Sequence, residues 1–170
     1  MSDGGYESFS AFVSARQRAL LRSAVLVCGD PHLAQDLVQE ALVKLALRWE
    51  RVRTGHPEAY VRRILYRDMI SWRRRHHREL LGVVVDQPHA DPSGASDDRM
   101  ALQSALSRLT VKQRAVLVLR YFDDLSELET ADLLGVSVGT VKSQTHVALG
   151  RLRILAPELD ARLSQEATHD

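Results

Sequence analysis

Apolar residues recur along this chain at helical spacing, in blocks set apart by residues that start and stop helices. Between Tyr6 and Val27, the side chains of Phe9, Phe12, Val13, Leu20 and Ala24 are available to one face of a first helix. Asp30-Pro31 supplies a capping residue followed by proline at the first helical position. The helix it opens continues to about Trp49, with Leu33, Leu37, Val38, Ala41, Leu42 and Leu45 at the 3.6-residue period. Pro57 starts a third helix, whose apolar positions are Tyr60, Val61, Ile64, Leu65, Met69 and Trp72. It ends in the basic run from Arg73 to Arg78.

Periodicity then lapses. Gln87 to Asp98 (QPHADPSGASDD) combines proline, glycine, serine and aspartate and reads as a linker. Beyond it, a helix begins at Ser96 or Asp97 and reaches about Arg108. Thr110 and Gln113 have capping-box spacing and open a helix to about Tyr121. Ser126 and Glu129 repeat that spacing ahead of a short helix that stops at Gly135, and Ser137 caps a last helix running to about Leu155. Only Gly82 to Val85 shows any alternation, and it is too short to matter. The prediction is an all-α chain: two small helical domains joined by a flexible acidic linker, the second ending in a helix-turn-helix. Composition places the first domain at 1–80, the linker at 81–98, the second domain at 99–160 and a tail at 161–170.

The most specific stretch is Ser126 to Leu152. Ala131 is small where two crossing helices must approach, and Gly135 can adopt the left-handed conformation that ends a helix sharply. Val136 is expected to fill the space under the turn, with Val141, Thr145, Ala148 and Leu152 facing inward. This is the spacing of a helix-turn-helix, whose second helix enters the major groove by its N-terminal half. Projection at about 100° per residue leaves Gly139, Thr140, Lys142, Ser143, His146 and Val147 on the open side or its flanks. Lys142 can reach phosphate or a guanine edge, and Ser143 or Gln144 can bond to bases. Thr140 and the helix N-terminus suit a phosphate. A helical hairpin that merely packs would show some of these signals, but seldom all at motif spacing.

Charge adds a second candidate surface. The net charge of +1 says little, yet Arg48 to Leu80 holds ten arginines against four acidic residues, while Leu81 to Asp98 holds four aspartates and no lysine or arginine. Such asymmetry suggests a polyanion-binding face followed by an acidic connector. An ordinary helix end, favoured by the macrodipole, would account for the arginine run alone.

Other chemistry finds little support. Aromatics are only 5% of the 170 residues, and hydrophobic residues at 45% suffice for a core. Cys28 sits in an apolar stretch and is expected to be a small buried hydrophobe rather than half of a disulfide. Met1 to Phe9 has no basic cluster or long apolar run, so no signal peptide is expected, and no apolar stretch is long enough for membrane insertion. A cytoplasmic protein is expected. There is no His-Glu-x-x-His, glycine-rich phosphate loop or paired-cysteine site. His76-His77 lacks partners at ligand spacing, and no carboxylates pair for acid–base work. The expectation is a protein that is not an enzyme, with no cofactor and no metal.

Several stretches together resemble a known family. Asp36-Leu37-Val38-Gln39-Glu40-Ala41, with Lys44-Leu45 and a following tryptophan, resembles the polymerase-binding helix of extracytoplasmic-function (ECF) sigma factors. Pro57 to Leu65 and Ser71 to Arg75 resemble that family's helix for the minus-ten promoter element. Leu109 to Leu117 and Gly139 to Ser143 resemble its minus-thirty-five-binding domain. The likeness runs from about Phe9 to Leu155 in the family's order, nearest the actinobacterial SigE-like subgroup.

The resemblance implies an alternative sigma factor that binds core RNA polymerase and initiates transcription at promoter DNA. Asp36, Gln39 and Glu40 would contact the β′ clamp helices. Arg63, Arg67, Ser71, Trp72, Arg73, Arg74 and Arg75 would hold minus-ten DNA, for arginine pairs with phosphate and stacks on bases as tryptophan does. Gly139, Thr140, Lys142, Ser143, Gln144 and His146 would read the minus-thirty-five element while that domain contacts the β flap. An anti-sigma factor joins the candidate partners.

The sequence departs from the family at several of these positions. Arg67-Asp68 stands where an asparagine is usual, so Arg67 either binds phosphate or pairs with Asp68. Gln144 stands where the broad family more often has arginine, although the subgroup tolerates glutamine, and His146 where serine or an aromatic is common. Val147 stands where arginine is frequent, which removes about one phosphate contact and leaves Val147 to pack on a thymine methyl. Two other readings stay open on the residues alone: a helix-turn-helix transcriptional regulator, and an interaction protein that sequesters polymerase without engaging DNA.

Overall fold

A computed structural model of the chain describes residues 3–79 and 97–155. The described residues are helical, with no strand among them, and the chain divides into two compact units, Met1–Gln87 and Pro88–Asp170. The expected tail, and the linker apart from residues 97 and 98, lie outside the described residues.

The first unit packs α1 (Asp3–Cys28), α2 (Pro31–Ala46) and α4 (Pro57–Glu79) together, with a single-turn helix α3 (Trp49–Val52) between the last two. Asp30 is the N-cap of α2: its carboxylate accepts from the N–H groups of His32 (2.8 Å) and Leu33 (3.2 Å), and Pro31 follows with φ already set. The inward face of α2 is Ala34, Leu37, Val38, Ala41, Leu42 and Leu45, and Leu33 is only half-buried. Leu20, Ala24 and Val27 of α1 and Val61, Leu65, Tyr66 and Met69 of α4 complete the core.

The second expected helix does not run unbroken to Trp49. Arg48 leaves helical geometry (φ −120°, ψ 8°), and Trp49 then anchors a turn of its own. Its indole is 4% exposed, meets Phe9 edge-on at 5.2 Å and Phe12 at 5.4 Å, and donates from Nε1 to Ser8 Oγ at 2.9 Å. Cys28, expected to be buried, is half-buried at the end of α1, where the helix gives way to Gly29.

In the second unit α5 (Asp97–Ser107) precedes α6 (Val111–Leu117), which Thr110 and Gln113 open with a complete capping box. α6 runs straight into a π-helical turn, Val118–Phe122, and Asp124 (φ 50°) then turns the chain toward α7 (Glu127–Leu134). The Arg120 guanidinium donates to the Leu125 carbonyl and closes this connection. α8 (Val138–Leu155) packs on α6 and α7. Gln113 serves both ends of that arrangement, its Oε1 accepting from Thr110 N–H at 3.2 Å and from Arg151 at 3.1 Å.

Candidate nucleic-acid interface

The turn between α7 and α8 is built from short polar side chains and one glycine. Ser126 Oγ accepts from Glu129 N–H at 3.2 Å, and the Glu129 carboxylate reaches back to the Ser126 N–H at 2.8 Å and its hydroxyl at 2.6 Å. Those two hydrogen bonds hold the Glu129 carboxyl below its ordinary range, the hydroxyl contributing more than the amide. At the other end Gly135 adopts φ 67°, ψ 38°, which lets the Val136 N–H reach back to the Ala131 carbonyl at 3.0 Å. Beneath the turn Val116, Ala131 and Val141 form the core, with Leu134 and Val138 against it. Val136 does not fill that space. It is 40% exposed, because the left-handed step at Gly135 swings it outward and brings Val138 in.

Val141, Ala148 and Leu152 are buried along α8 as expected, and the Thr145 hydroxyl is buried with them. The opposite side carries Gly139, Ser143, His146 and Val147, all exposed, with Thr140 and Gln144 on one flank and Lys142 on the other. At the helix start Ser137 Oγ accepts from Thr140 N–H at 3.1 Å and meets the Thr140 hydroxyl at 2.9 Å. Ser143 Oγ donates to the Thr140 carbonyl at 3.0 Å. A Cβ added at Gly139 would meet only Ser137 Oγ, at 3.8 Å. The fold therefore does not require glycine there. Lys142 Nζ lies 3.6 Å from Glu127 Oε2 on α7.

On α4 the expected residues divide. Arg63, Arg67 and Arg74 are exposed on one stripe, with Ser71 beside it and Arg75 on its flank. Trp72 lies about 140° round from Arg67 (five residues at about 100°), toward the packed side, and both Trp72 and Arg73 are half-buried. Arg62 belongs to the fold instead: its guanidinium bonds Glu58 Oε1 at 3.2 and 3.0 Å, and Glu58 Oε2 meets Arg16 of α1 at 3.1 Å. Asp68 does not pair with Arg67, since neighbouring residues on a helix do not face each other. It takes Lys44 of α2 at 2.7 Å, and Lys44 also pairs with Glu40 at 2.8 Å.

On α2 the exposed Asp36, Gln39 and Glu40 fall on one stripe with Val43 and Leu47, which are 60% and 81% exposed. Reading the sequence for polar contacts passed over these two. Their signal was available: both are apolar and out of phase with the α2 core.

Two family models match the chain, Sigma-70 region 2 over residues 12–79 and Sigma-70 region 4 over residues 99–152. One match falls in each compact unit. The chain is also 43% identical over 161 residues to the RNA polymerase sigma-E factor of Streptomyces coelicolor, covering 91% of this chain and 90% of that protein. The chain belongs to the ECF sigma factors.

Other members extend the comparison. The ECF sigma factor SigL of Mycobacterium tuberculosis is 32% identical over 148 residues, covering 82% of this chain and 84% of its own. Among solved structures, a sigma factor RpoE from Bartonella quintana, crystallised with the anti-sigma factor NepR, matches with a TM-score of 0.72 at 26% identity. That match covers 86% of this chain and 95% of the Bartonella one. Among the described residues no group of three or more His, Cys, Asp and Glu is placed to hold a metal ion. No described helix is long and apolar enough to cross a membrane.

Proposed function

We propose that this ECF sigma factor binds core RNA polymerase, carries it to promoters with minus-ten and minus-thirty-five elements, and starts transcription there without catalysing a reaction itself. The observation that carries this reading is the pairing, in one chain, of an outward arginine stripe on α4 with a fully capped helix-turn-helix ending in α8. One surface suits a flexible, partly unstacked strand and the other a duplex groove.

The roles divide by unit. The α2 stripe of Asp36, Gln39, Glu40, Val43 and Leu47 docks on the β′ clamp helices. Arg63, Arg67, Ser71, Arg74 and Arg75 hold minus-ten DNA, with Trp72 and Arg73 at the edge of that face. In the second unit Gly139 lets the DNA backbone approach the start of α8. Thr140, Ser143, Gln144 and His146 bond to phosphates and bases, and Lys142 supplies the charge. This unit also contacts the β flap. An anti-sigma factor is a further partner, as it is for the Bartonella protein, and the working compartment is the cytoplasm, where promoter DNA lies.

Run-off transcription with purified core polymerase from a related bacterium, on genomic fragments, tests the reading. Discrete new start sites should appear only when the protein is added. Core binding without any start site would favour sequestration, and absence of core binding would leave a DNA-binding regulator.

A further inference from the structure

Of the α8 residues placed toward DNA, Lys142 is the one permanent cation, yet it does not stand alone. Its ammonium lies 3.6 Å from the Glu127 carboxylate, at the first position of α7. That is longer than the roughly 2.7–2.9 Å of a charge-assisted hydrogen bond. The two side chains are 63% and 38% exposed, so the pair does little for folding. Glu129, two residues on, is spent on the Ser126 cap. Glu127 has no such duty.

We propose that Glu127 is a specificity-setting residue of the minus-thirty-five interface, an internal rival to phosphate that withholds Lys142 from DNA lacking the right sequence. The proposal rests on reading α8 as the minus-thirty-five helix. Affinity for arbitrary DNA comes almost wholly from phosphate charge, and the Glu127 carboxylate beside Lys142 reduces its share. A phosphate that captures Lys142 must break the pair and then sit near a carboxylate. At the correct element, base-edge bonds made by the neighbouring residues seat α8 deeply enough for Lys142 to be drawn away from Glu127. The carboxylate thereby weakens non-specific binding more than promoter binding.

The test uses the full chain and a labelled mixed-sequence duplex of about two helical turns, followed by fluorescence anisotropy from about 50 to 200 mM salt. Glu127→Gln should bind roughly two- to fivefold more tightly at low salt, the span an exposed ion pair allows. Its plot of log affinity against log salt should steepen by about one contact. Lys142→Gln should erase the gain in the Glu127→Gln background, so that the double variant binds no more tightly than Lys142→Gln alone. Equal binding by Glu127→Gln and the unmodified chain would overturn the proposal. So would a gain that persists without Lys142, which would reflect overall charge alone. Ser143→Asp, on the outward face of α8, separates the two readings. If it weakens binding while Glu127→Gln is silent, only the role of Glu127 falls; if it changes nothing, the α8 reading falls and this proposal with it.

Discussion

Lys44 Nζ stands 2.7 Å from Asp68 Oδ2, a bond between the middle of α2 and the middle of α4 across 24 positions of sequence. Lys44 also holds Glu40 at 2.8 Å, so one ammonium links the exposed polar stripe of α2 to the helix that carries the outward arginines. The hydrogen bond to Asp68, followed by that to Glu40, raises the Lys44 pKa above its usual value. Stability gained from a raised lysine pKa is complete below the unfolded-state value and drains away as pH climbs through the folded one. Urea midpoints should therefore hold up to about pH 10 and fall as pH rises beyond it in the unmodified protein, and fall less in Lys44→Met. At neutral pH Lys44→Met should lose about 1 kcal/mol, because Asp68, with its side chain 24% exposed, is left without that cation. Equal pH dependence in the two proteins would show that the bond contributes nothing.

Trp49 is the second tie in that unit, holding α1 against the turn after α2 through Phe9, Phe12 and Ser8. Trp49→Ala should cost about 3–5 kcal/mol, read from chemical unfolding, since it empties a large buried volume. Trp49→Phe keeps most of the packing but leaves Ser8 without its donor, and about 1 kcal/mol should separate it from the unmodified protein.

Most of the fold was legible because its signals are local. Asp30-Pro31, Thr110 with Gln113, Ser126 with Glu129, and Gly135 each fix a helix end through bonds spanning a few residues, and each does so in the structure. What the sequence hid depended on neighbours in space. The break at Arg48 matters because Trp49 finds Phe9 and Phe12 some 40 positions back. Val136 looked like core by composition, but the backbone hand at Gly135 puts it outside. Asp68 chose Lys44 over Arg67, a preference no spacing along one helix could reveal. At the candidate site, the outward residues of α8 followed from periodicity alone, whereas the pairing of Lys142 with Glu127 needed the crossing of α7 and α8.

The capping box at the start of α7 makes the helix-turn-helix sensitive to acid. Glu129 titrates below the ordinary carboxyl range because Ser126 donates to it through its hydroxyl and then its backbone. A lowered carboxyl pKa contributes stability that is present above the unfolded value and is lost as pH falls through the folded one. Melting temperatures followed from about pH 6 to pH 3 should drop more steeply in the unmodified protein than in Glu129→Ala. Ser126→Ala at neutral pH should cost about 1 kcal/mol, the usual worth of an N-cap serine. Parallel pH profiles would mean that the box adds no net stability.

Gly150 lies inside α8, where a Cβ would meet nothing within 4 Å. A glycine in a helix interior loses backbone freedom that alanine never had. Gly150→Ala should therefore raise stability by roughly 0.5–1 kcal/mol in urea unfolding. No change would indicate that this part of α8 is already frayed in the folded protein.

Val43 and Leu47 provide the sharpest separation of folding from function. Their exposure of 60% and 81% means that neither contributes appreciably to the core, which α2 builds on its other side. Replacing them with aspartate removes apolar area that only a partner could cover. Val43→Asp/Leu47→Asp should melt within a few degrees of the unmodified chain, as surface changes generally do. Its affinity for core polymerase should nevertheless fall by about tenfold or more, since the interface would lose apolar area and would have to bury two unpaired carboxylates. Gln39→Ala, a polar residue on the same stripe, should have a smaller effect. Undiminished core binding by the double variant would move the docking surface off α2, whereas loss of binding with an unchanged melt would place it there.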